Sequence, residues 1–294
     1  MITILITGAN GFLGSYLCEL LTANYKIIAT GKGNCRLHYN HANLYYEKLD
    51  FTVEENVKEV LRKYSPEIII HAGAMSKPDD CETNKEQAYL SNVQSTVFLL
   101  KQASLLKSFF IFLSTDFIFD GVRGMYKEED IPGPVNYYGE TKLMAENEVK
   151  KYLYQWCIVR TVLVYGHPKS GRDNILTVVA KGLQKGETLR IFDDQLRTPT
   201  FVEDLANAIK TIIEKKATGI FHVSGEDKLS PHEMAVAVAN YLGFNPSLIE
   251  KIRAEDLHQP AKRPAKTGFD ITKAKNELNF IPTLFSEGLR KTFE

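Results

Sequence analysis

ITILITGANGFLG, residues 2 to 14, is the stretch on which the reading of the fold rests. Ile2 to Thr7 is a short apolar run of the kind that forms a buried strand, and it stops just before glycines at 8, 11 and 14. Gly8 permits a tight turn, Gly11 lets backbone come close to a pyrophosphate, and Gly14 lets the next helix pack against the strand. That helix runs through Tyr16, Leu17, Leu20 and Leu21. Its N-terminus offers unpaired N–H groups and the positive end of the helix dipole to phosphate oxygens. A chance glycine-rich turn has no reason to sit directly after the first strand, so the stretch predicts a dinucleotide site.

Outward from this loop the chain alternates. Lys26 to Thr30 reads as a strand, a polar loop covers Gly31 to His41, and a third strand is expected to end at Leu49-Asp50-Phe51. A helix over Val53 to Tyr64 leads to the strand Ile68 to His71 and then Ala72-Gly73-Ala74. A long helix, Lys85 to Lys107, precedes the strand Phe109 to Leu113; a helix from Tyr138 to Tyr154 precedes the strand Cys157 to Val162. Strands alternating with helices predict right-handed crossovers and a Rossmann-type, doubly wound parallel sheet of the α/β class.

After residue 165 the alternation loosens. A loop at 167–173, a helix over Ile175 to Gln184 and a strand Leu189 to Phe192 come first. Val202 to Lys215 is again helical, and Gly219 to Val223 is a strand. Ser230-Pro231-His232-Glu233 carries a capping-box start for another helix. The tail, with Pro260, Pro264 and Pro282, reads as irregular apart from a helix over Ile271 to Leu278. The expected organisation is a dinucleotide-binding domain over 1–165, with elements near 196–224 returning to it. A smaller α+β substrate lobe is expected over 166–195 and 225–294.

Composition excludes several classes. Lys plus Arg and Asp plus Glu both number 36, so no net field points to nucleic acid or an anionic membrane. Mean hydropathy is −0.20, and no apolar run approaches the ~20 residues of a membrane span. The chain opens on a strand without a basic leader, so a cytoplasmic protein is expected. Cys18, Cys35, Cys81 and Cys157 have no redox or metal spacing and are expected to be buried free thiols. The seven histidines (38, 41, 71, 167, 222, 232 and 258) show no ligand spacing either, so no metal is expected.

The chemistry concentrates in residues 109–142, FFIFLSTDFIFDGVRGMYKEEDIPGPVNYYGETK. The strand ends on Ser114-Thr115-Asp116, and Tyr138 and Lys142 stand four apart on one face of the next helix. A parallel sheet would bring Thr115 to the same carboxyl-end crevice as the glycine loop. Acid–base use of a tyrosine near neutrality requires lowering a pKa of ~10. A lysine ammonium at ~4 Å contributes at most a few kcal/mol to the phenolate, against ~1.4 kcal/mol per pKa unit. A second Tyr-x-x-x-Lys, Tyr165/Lys169, spans Gly166 and Pro168 and is rejected because no helix would pair it. The charged run Lys127 to Asp130 reads as a solvated loop.

The end of the second strand bears on the cofactor. A carboxylate there would accept from the ribose of NAD, whereas basic residues would welcome a 2′-phosphate. Thr30-Gly31-Lys32-Gly33 has no acid, Lys32 supplies a cation and Arg36 is near, so NADP(H) is preferred and NAD(H) is admitted. Asp50 is a candidate acceptor for the adenine amine or a helix cap before Val53, with Thr52 the better cap.

Together these motifs make the sequence resemble the extended short-chain dehydrogenase/reductases, and among them the dTDP-4-dehydrorhamnose reductase family. The residues that carry the likeness are Ser114 to Gly121, Asn136 to Lys142, Arg160-Thr161, Val164-Tyr165-Gly166, Pro199-Thr200 and Arg263-Pro264. The resemblance implies reduction by NAD(P)H of the C4 ketone of a nucleotide-linked 4-keto-6-deoxysugar. Tyr138 would protonate the developing alkoxide, Lys142 would hold the nicotinamide ribose and lower the tyrosine pKa, and Thr115 would donate to the same oxygen. Asp116 would touch the sugar. Gly8, Asn10, Gly11, Phe12, Leu13, Gly14, Asp50, Phe51, Ala72, Gly73 and Ala74 match the family's cofactor contacts. A homodimer is compatible with the resemblance.

Two departures leave the sugar open. Val162-Leu163 replaces a Ser-Trp pair common in such reductases, and Phe117 stands where tyrosine is frequent. Arg197 is a candidate fork for a diphosphate, or a partner of Asp193 or Asp194. Two other readings stand beside the reductase: an epimerase or dehydratase with tightly held NAD+, and a cofactor-binding regulatory subunit without turnover.

Overall fold

The structure, a computed structural model, describes residues 1–169, 173–257 and 259–294. The first half runs β1 (Thr3–Thr7), α1 (Phe12–Leu21), β2 (Lys26–Gly31), β3 (Leu44–Lys48), α2 (Glu54–Tyr64), β4 (Ile68–His71), α3 (Pro78–Thr83), α4 (Lys85–Tyr89), α5 (Ser95–Leu106), β5 (Phe109–Thr115) and α6 (Tyr137–Lys150). The second half runs β6 (Trp156–Thr161), β7 (Val164–Tyr165), α7 (Ile175–Gln184), β8 (Leu189–Phe192), β9 (Thr200–Phe201), α8 (Val202–Lys215), β10 (Gly219–Val223), α9 (Pro231–Leu242), β11 (Ile249–Ile252), α10 (Thr272–Leu278) and α11 (Phe285–Phe293).

Seven strands form one sheet in the order β10-β6-β5-β4-β1-β2-β3, every neighbouring pair parallel. The winding direction reverses between β1 and β4, the switch point at which such sheets open a crevice. Alternation along the strands explains why both faces must be covered. In β1, Ile4 and Ile6 join Leu17 and Ile209 under α1 and α8, while Leu5 joins Val57 and Leu99 under α2 and α5. A third apolar cluster, with Leu176, Val179, Met234, Val238, Phe285 and Leu289, is built by α7, α9 and α11 beyond the strand ends.

Five sequence expectations change. The third strand stops at Lys48 because the chain turns at Asp50, whose carbonyl accepts the Val53 N–H. The long helix before β5 is interrupted by a π-helical turn, Leu90–Gln94. The tail is more ordered than expected: β11 pairs in parallel with β8, and α11 buries Phe285 and Leu289. The run Lys127 to Asp130 is not simply solvated, since Glu128 accepts the His222 N–H and its carbonyl accepts from Arg160. Of the four cysteines, Cys35 is exposed rather than buried. Residues 170–172 of the expected loop, and His258, lie outside the described residues.

Candidate active site

The glycine loop forms the first half of the site. Gly8 takes φ +70°, and a Cβ there would lie 2.8 Å from the Gly73 Cα, so β1 and β4 meet at their ends only through glycines. A Cβ on Gly14 would collide with the Gly8 carbonyl, which is how α1 comes so close to the strand. Gly11 caps α1 without a side-chain hydrogen bond, so the first-turn N–H groups receive no acceptor from the cap. They open on a cleft of about 440 Å³ lined by Gly8, Gly11, Lys32, Arg36, Phe51 and Gly73. Backbone donors, a dipole end and two cations in one concavity fit a dinucleotide.

Asn10 braces this cleft. Its amide donates to the Asn34 carbonyl at 2.9 Å and to Tyr46 Oη at 2.8 Å, and its oxygen accepts the Arg36 N–H at 2.9 Å. Arg36 Nη2 donates to the Asn10 carbonyl at 3.3 Å, which holds the guanidinium beside the glycine loop. Lys32 is paired with Asp50 at 2.8 Å. Asp50 also accepts the N–H and hydroxyl of Thr52, and although its partial burial opposes ionisation, these partners hold its carboxyl below the usual range. Neither Asp50 nor Thr52 caps α2, whose N-cap is Val53 without a side-chain bond.

The second half lies where β5 meets α6. Asn136 caps α6 by accepting the Gly139 N–H at 2.9 Å, and its amide donates to the Lys262 carbonyl at 2.7 Å, tying the helix start to the tail. Gly139 packs against the Phe117 carbonyl, where any Cβ would collide. This contact sets Tyr138 beside the turn that follows Thr115, with the Phe117 and Tyr138 rings edge to face at 5.7 Å. Thr115, Asp116, Phe117, Tyr138, Leu163 and Arg197 all line one cleft of about 560 Å³. Phe12 lines it as well, next in the chain to Gly11 of the first cleft. Leu163 holds a left-handed φ of 31° between β6 and β7.

Lys142 sits one turn beyond Tyr138 and is buried, its ammonium 3.9 Å from the Phe112 ring centroid. Burial pushes its pKa down to about 7, against the opposing charges of Glu146 and Cys81. Glu146 is itself held by Arg160 through two hydrogen bonds of 2.9 and 2.7 Å. His71, at the end of β4, shares a 2.7 Å hydrogen bond with Thr7, and burial together with the Lys142 charge pushes it down to about 3. The rejected pair stays apart in function: Tyr165 lies in the third apolar cluster, while Lys169 pairs with Glu19.

Arg197 is buried and has neither Asp193 nor Asp194 as partner. Nη1 donates to the Leu196 and Ala265 carbonyls at 2.9 and 3.1 Å, and Nη2 to Gln195 Oε1 and the Pro264 carbonyl at 3.1 and 2.8 Å. Nε faces Asp116 Oδ2 at 3.8 Å. All five N–H groups thus have an acceptor or a counter-charge, which leaves no free fork for a diphosphate in this arrangement. Burial raises the Asp116 pKa and lowers that of Arg197, so at this spacing desolvation outweighs their attraction. Asp116 also accepts from Thr267 and, at 3.1 Å, from the Thr115 hydroxyl.

Sequence reading missed three site residues. Asn92, in the π-helical turn, bonds both backbone groups of Met75 and donates to Thr141 on α6 at 2.9 Å. The departure from regular helix brings it there, and no local pattern marks it. Ser114 and Gln195 line the 560 Å³ cleft, and among the described residues each has a buried polar atom without a hydrogen-bond partner, Ser114 Oγ and Gln195 Nε2.

A doubly wound parallel sheet with a glycine cradle at its switch point, and a Tyr-x-x-x-Lys helix against the end of β5, defines an extended short-chain dehydrogenase/reductase. The chain belongs to the family described as RmlD substrate binding domain, whose model matches residues 2–294. It is 30% identical to methionine adenosyltransferase 2 subunit beta of Mus musculus, over 98% of this chain and 86% of that protein. It is also 30% identical to the probable low-salt glycan biosynthesis reductase Agl14 of Haloferax volcanii, over 95% and 93%. Its fold superposes with a TM-score of 0.87 on the dTDP-4-dehydrorhamnose reductase of Bacillus anthracis, crystallised with NADP. That match has 28% identity and covers 100% of this chain and 99% of the other.

Proposed function

We propose that the protein reduces the C4 ketone of a nucleotide-linked 4-keto-6-deoxysugar with NADPH, with Tyr138 as the proton donor. The observation that carries this reading is the cleft that Thr115 and Tyr138 line together, which Phe12, next in the chain to Gly11 of the glycine-loop cleft, lines as well. The cofactor, when bound, supplies the hydride. This chain's residues then have three tasks. The Tyr138 phenol gives its proton to the oxygen that becomes alkoxide. Lys142, charged below about pH 7, favours the phenolate left behind. Thr115 supplies a hydrogen bond to the same oxygen, which requires its hydroxyl to turn away from Asp116. Donors aimed at charge that appears only during reaction are where rate is gained.

Arg36, positioned by Asn10 and without an acidic partner among the described residues, reads the 2′-phosphate more directly than Lys32, which Asp50 already neutralises. Tyr138→Phe tests the acid: turnover should fall about 10²- to 10⁴-fold while NADPH binds as before. Retained turnover would remove Tyr138 from the role.

A second reading has one observation behind it, the 30% identity to a protein named as a subunit of methionine adenosyltransferase. On that reading the chain binds NADP and a partner enzyme without turnover. Absence of NADPH oxidation with every sugar nucleotide in a 4-keto panel, with tight NADPH binding intact, would favour it. Copurified NAD+ would favour an epimerase or dehydratase instead.

A further inference from the structure

We propose that Gln195 is the residue that recognises the sugar, donating a hydrogen bond from its side-chain amide to a hydroxyl or ring oxygen of the bound pyranose. This rests on the sugar-nucleotide reading above and adds a specificity-determining contact to it. Gln195 is 6% exposed and lines the cleft that holds Thr115 and Tyr138. Its two amide ends are not interchangeable. Arg197 can only donate, so the end that meets Nη2 at 3.1 Å is the oxygen, and the NH2 is the end left over. That NH2 has no hydrogen-bond partner among the described residues. A buried unpaired donor is costly to leave unmade, and native structures keep few of them.

The surroundings define what it would meet. Phe117, Leu163, Val164 and Ile175 give this cleft apolar walls. Arg197, the cation beside it, has every N–H committed, four of them to carbonyl oxygens including that of Gln195. A neutral donor fixed by a saturated arginine suits a neutral acceptor oxygen rather than a phosphate. A site built to hydrogen-bond a hydroxyl rejects an analogue lacking it strongly, because the protein group is then left unpaired.

The test compares two variants by calorimetric binding to the NADPH-loaded protein. Gln195→Glu keeps the acceptor that Arg197 needs, removes the donor and adds a negative charge, whose effect on the diphosphate the dTDP control reads; Gln195→Leu removes both donor and acceptor. The probes are a panel of dTDP-linked 6-deoxysugars and dTDP alone, with turnover of the matching 4-keto sugars measured in parallel. Both variants should bind dTDP-sugar about ten- to a hundred-fold more weakly and bind dTDP as the wild type does. If Gln195→Glu binds the sugar normally and only Gln195→Leu fails, the residue merely holds Arg197, and the proposal is overturned. Equal weakening for dTDP alone overturns the sugar assignment in favour of the nucleotide. Wild-type turnover with unchanged variants removes Gln195 and leaves the reductase standing. Sugar binding that the variants weaken, without wild-type turnover, removes the reductase and leaves Gln195. No binding of any dTDP-sugar by the wild type overturns both.

Discussion

Replacing Lys142 by Met should make the ligand-free protein more stable at neutral pH, and the gain should shrink as pH rises. The ammonium is buried against Phe112, and burial takes its pKa from 10.5 to about 7. In the unfolded chain the group stays protonated up to about 10.4. Between these limits the unfolded state binds more protons than the folded one, so wild-type stability rises with pH there. The shift of 10.5 − 7 = 3.5 pKa units, at ~1.4 kcal/mol each, puts the full penalty at roughly 5 kcal/mol below pH 7. Integrating the proton linkage from pH 7 to 9 returns about 2 kcal/mol of it to the wild type. Methionine keeps the aliphatic reach over Phe112 but carries no charge. Urea unfolding of both proteins at pH 7, 8 and 9 cancels the titrating groups that do not interact with Lys142 in the difference. The stability difference should move by about 2 kcal/mol in favour of wild type across that range. A difference that is flat with pH would mean that Lys142 titrates normally and is not held in a low-dielectric site.

Other outcomes follow from single contacts. Arg36→Ala should weaken NADPH binding about 10- to 100-fold and leave NADH nearly unchanged, since a charge-assisted contact to phosphate is lost; fluorescence titration with both cofactors measures it. Lys32→Ala should have the smaller effect, because Lys32 is exposed and already paired with Asp50. Arg160→Met should cost about 3–5 kcal/mol in a denaturation experiment, since the fully buried Glu146 carboxylate loses both bonds to Arg160 and is left with the longer Lys150 contact at 3.7 Å.

Much of this molecule is legible without coordinates, and the reasons are local. The glycines at 8, 11 and 14 must follow a strand to be useful, and β1 and α1 stand on either side of them. The helices over 175–184, 202–215 and 231–242 declare themselves by apolar spacing and, for the last, by the Ser230–Glu233 capping box, which forms. α11 is equally readable from Phe285, Leu289 and Phe293 at i, i+4 and i+8, although Pro260, Pro264 and Pro282 suggest an irregular tail. What local pattern cannot give is contact across the chain. The acceptors that saturate Arg197 include carbonyls at 264 and 265, and Asp116 meets Thr267. Asn92 reaches Met75 only because the helix carrying it has a π-helical turn. The orphaned amide of Gln195 depends on which of its ends Arg197 occupies. Such facts depend on tertiary packing, and they are the ones that bear on the substrate.

The central claim is that this cleft performs reduction on a sugar nucleotide. Its most direct test is NADPH oxidation by the purified full chain, with dTDP-4-dehydrorhamnose and related 4-keto-6-deoxysugar nucleotides supplied in turn. Stoichiometric loss of NADPH absorbance is expected with at least one of them, slowed about 10²- to 10⁴-fold in Tyr138→Phe. Tight NADPH binding with no oxidation by any member of the panel would contradict it.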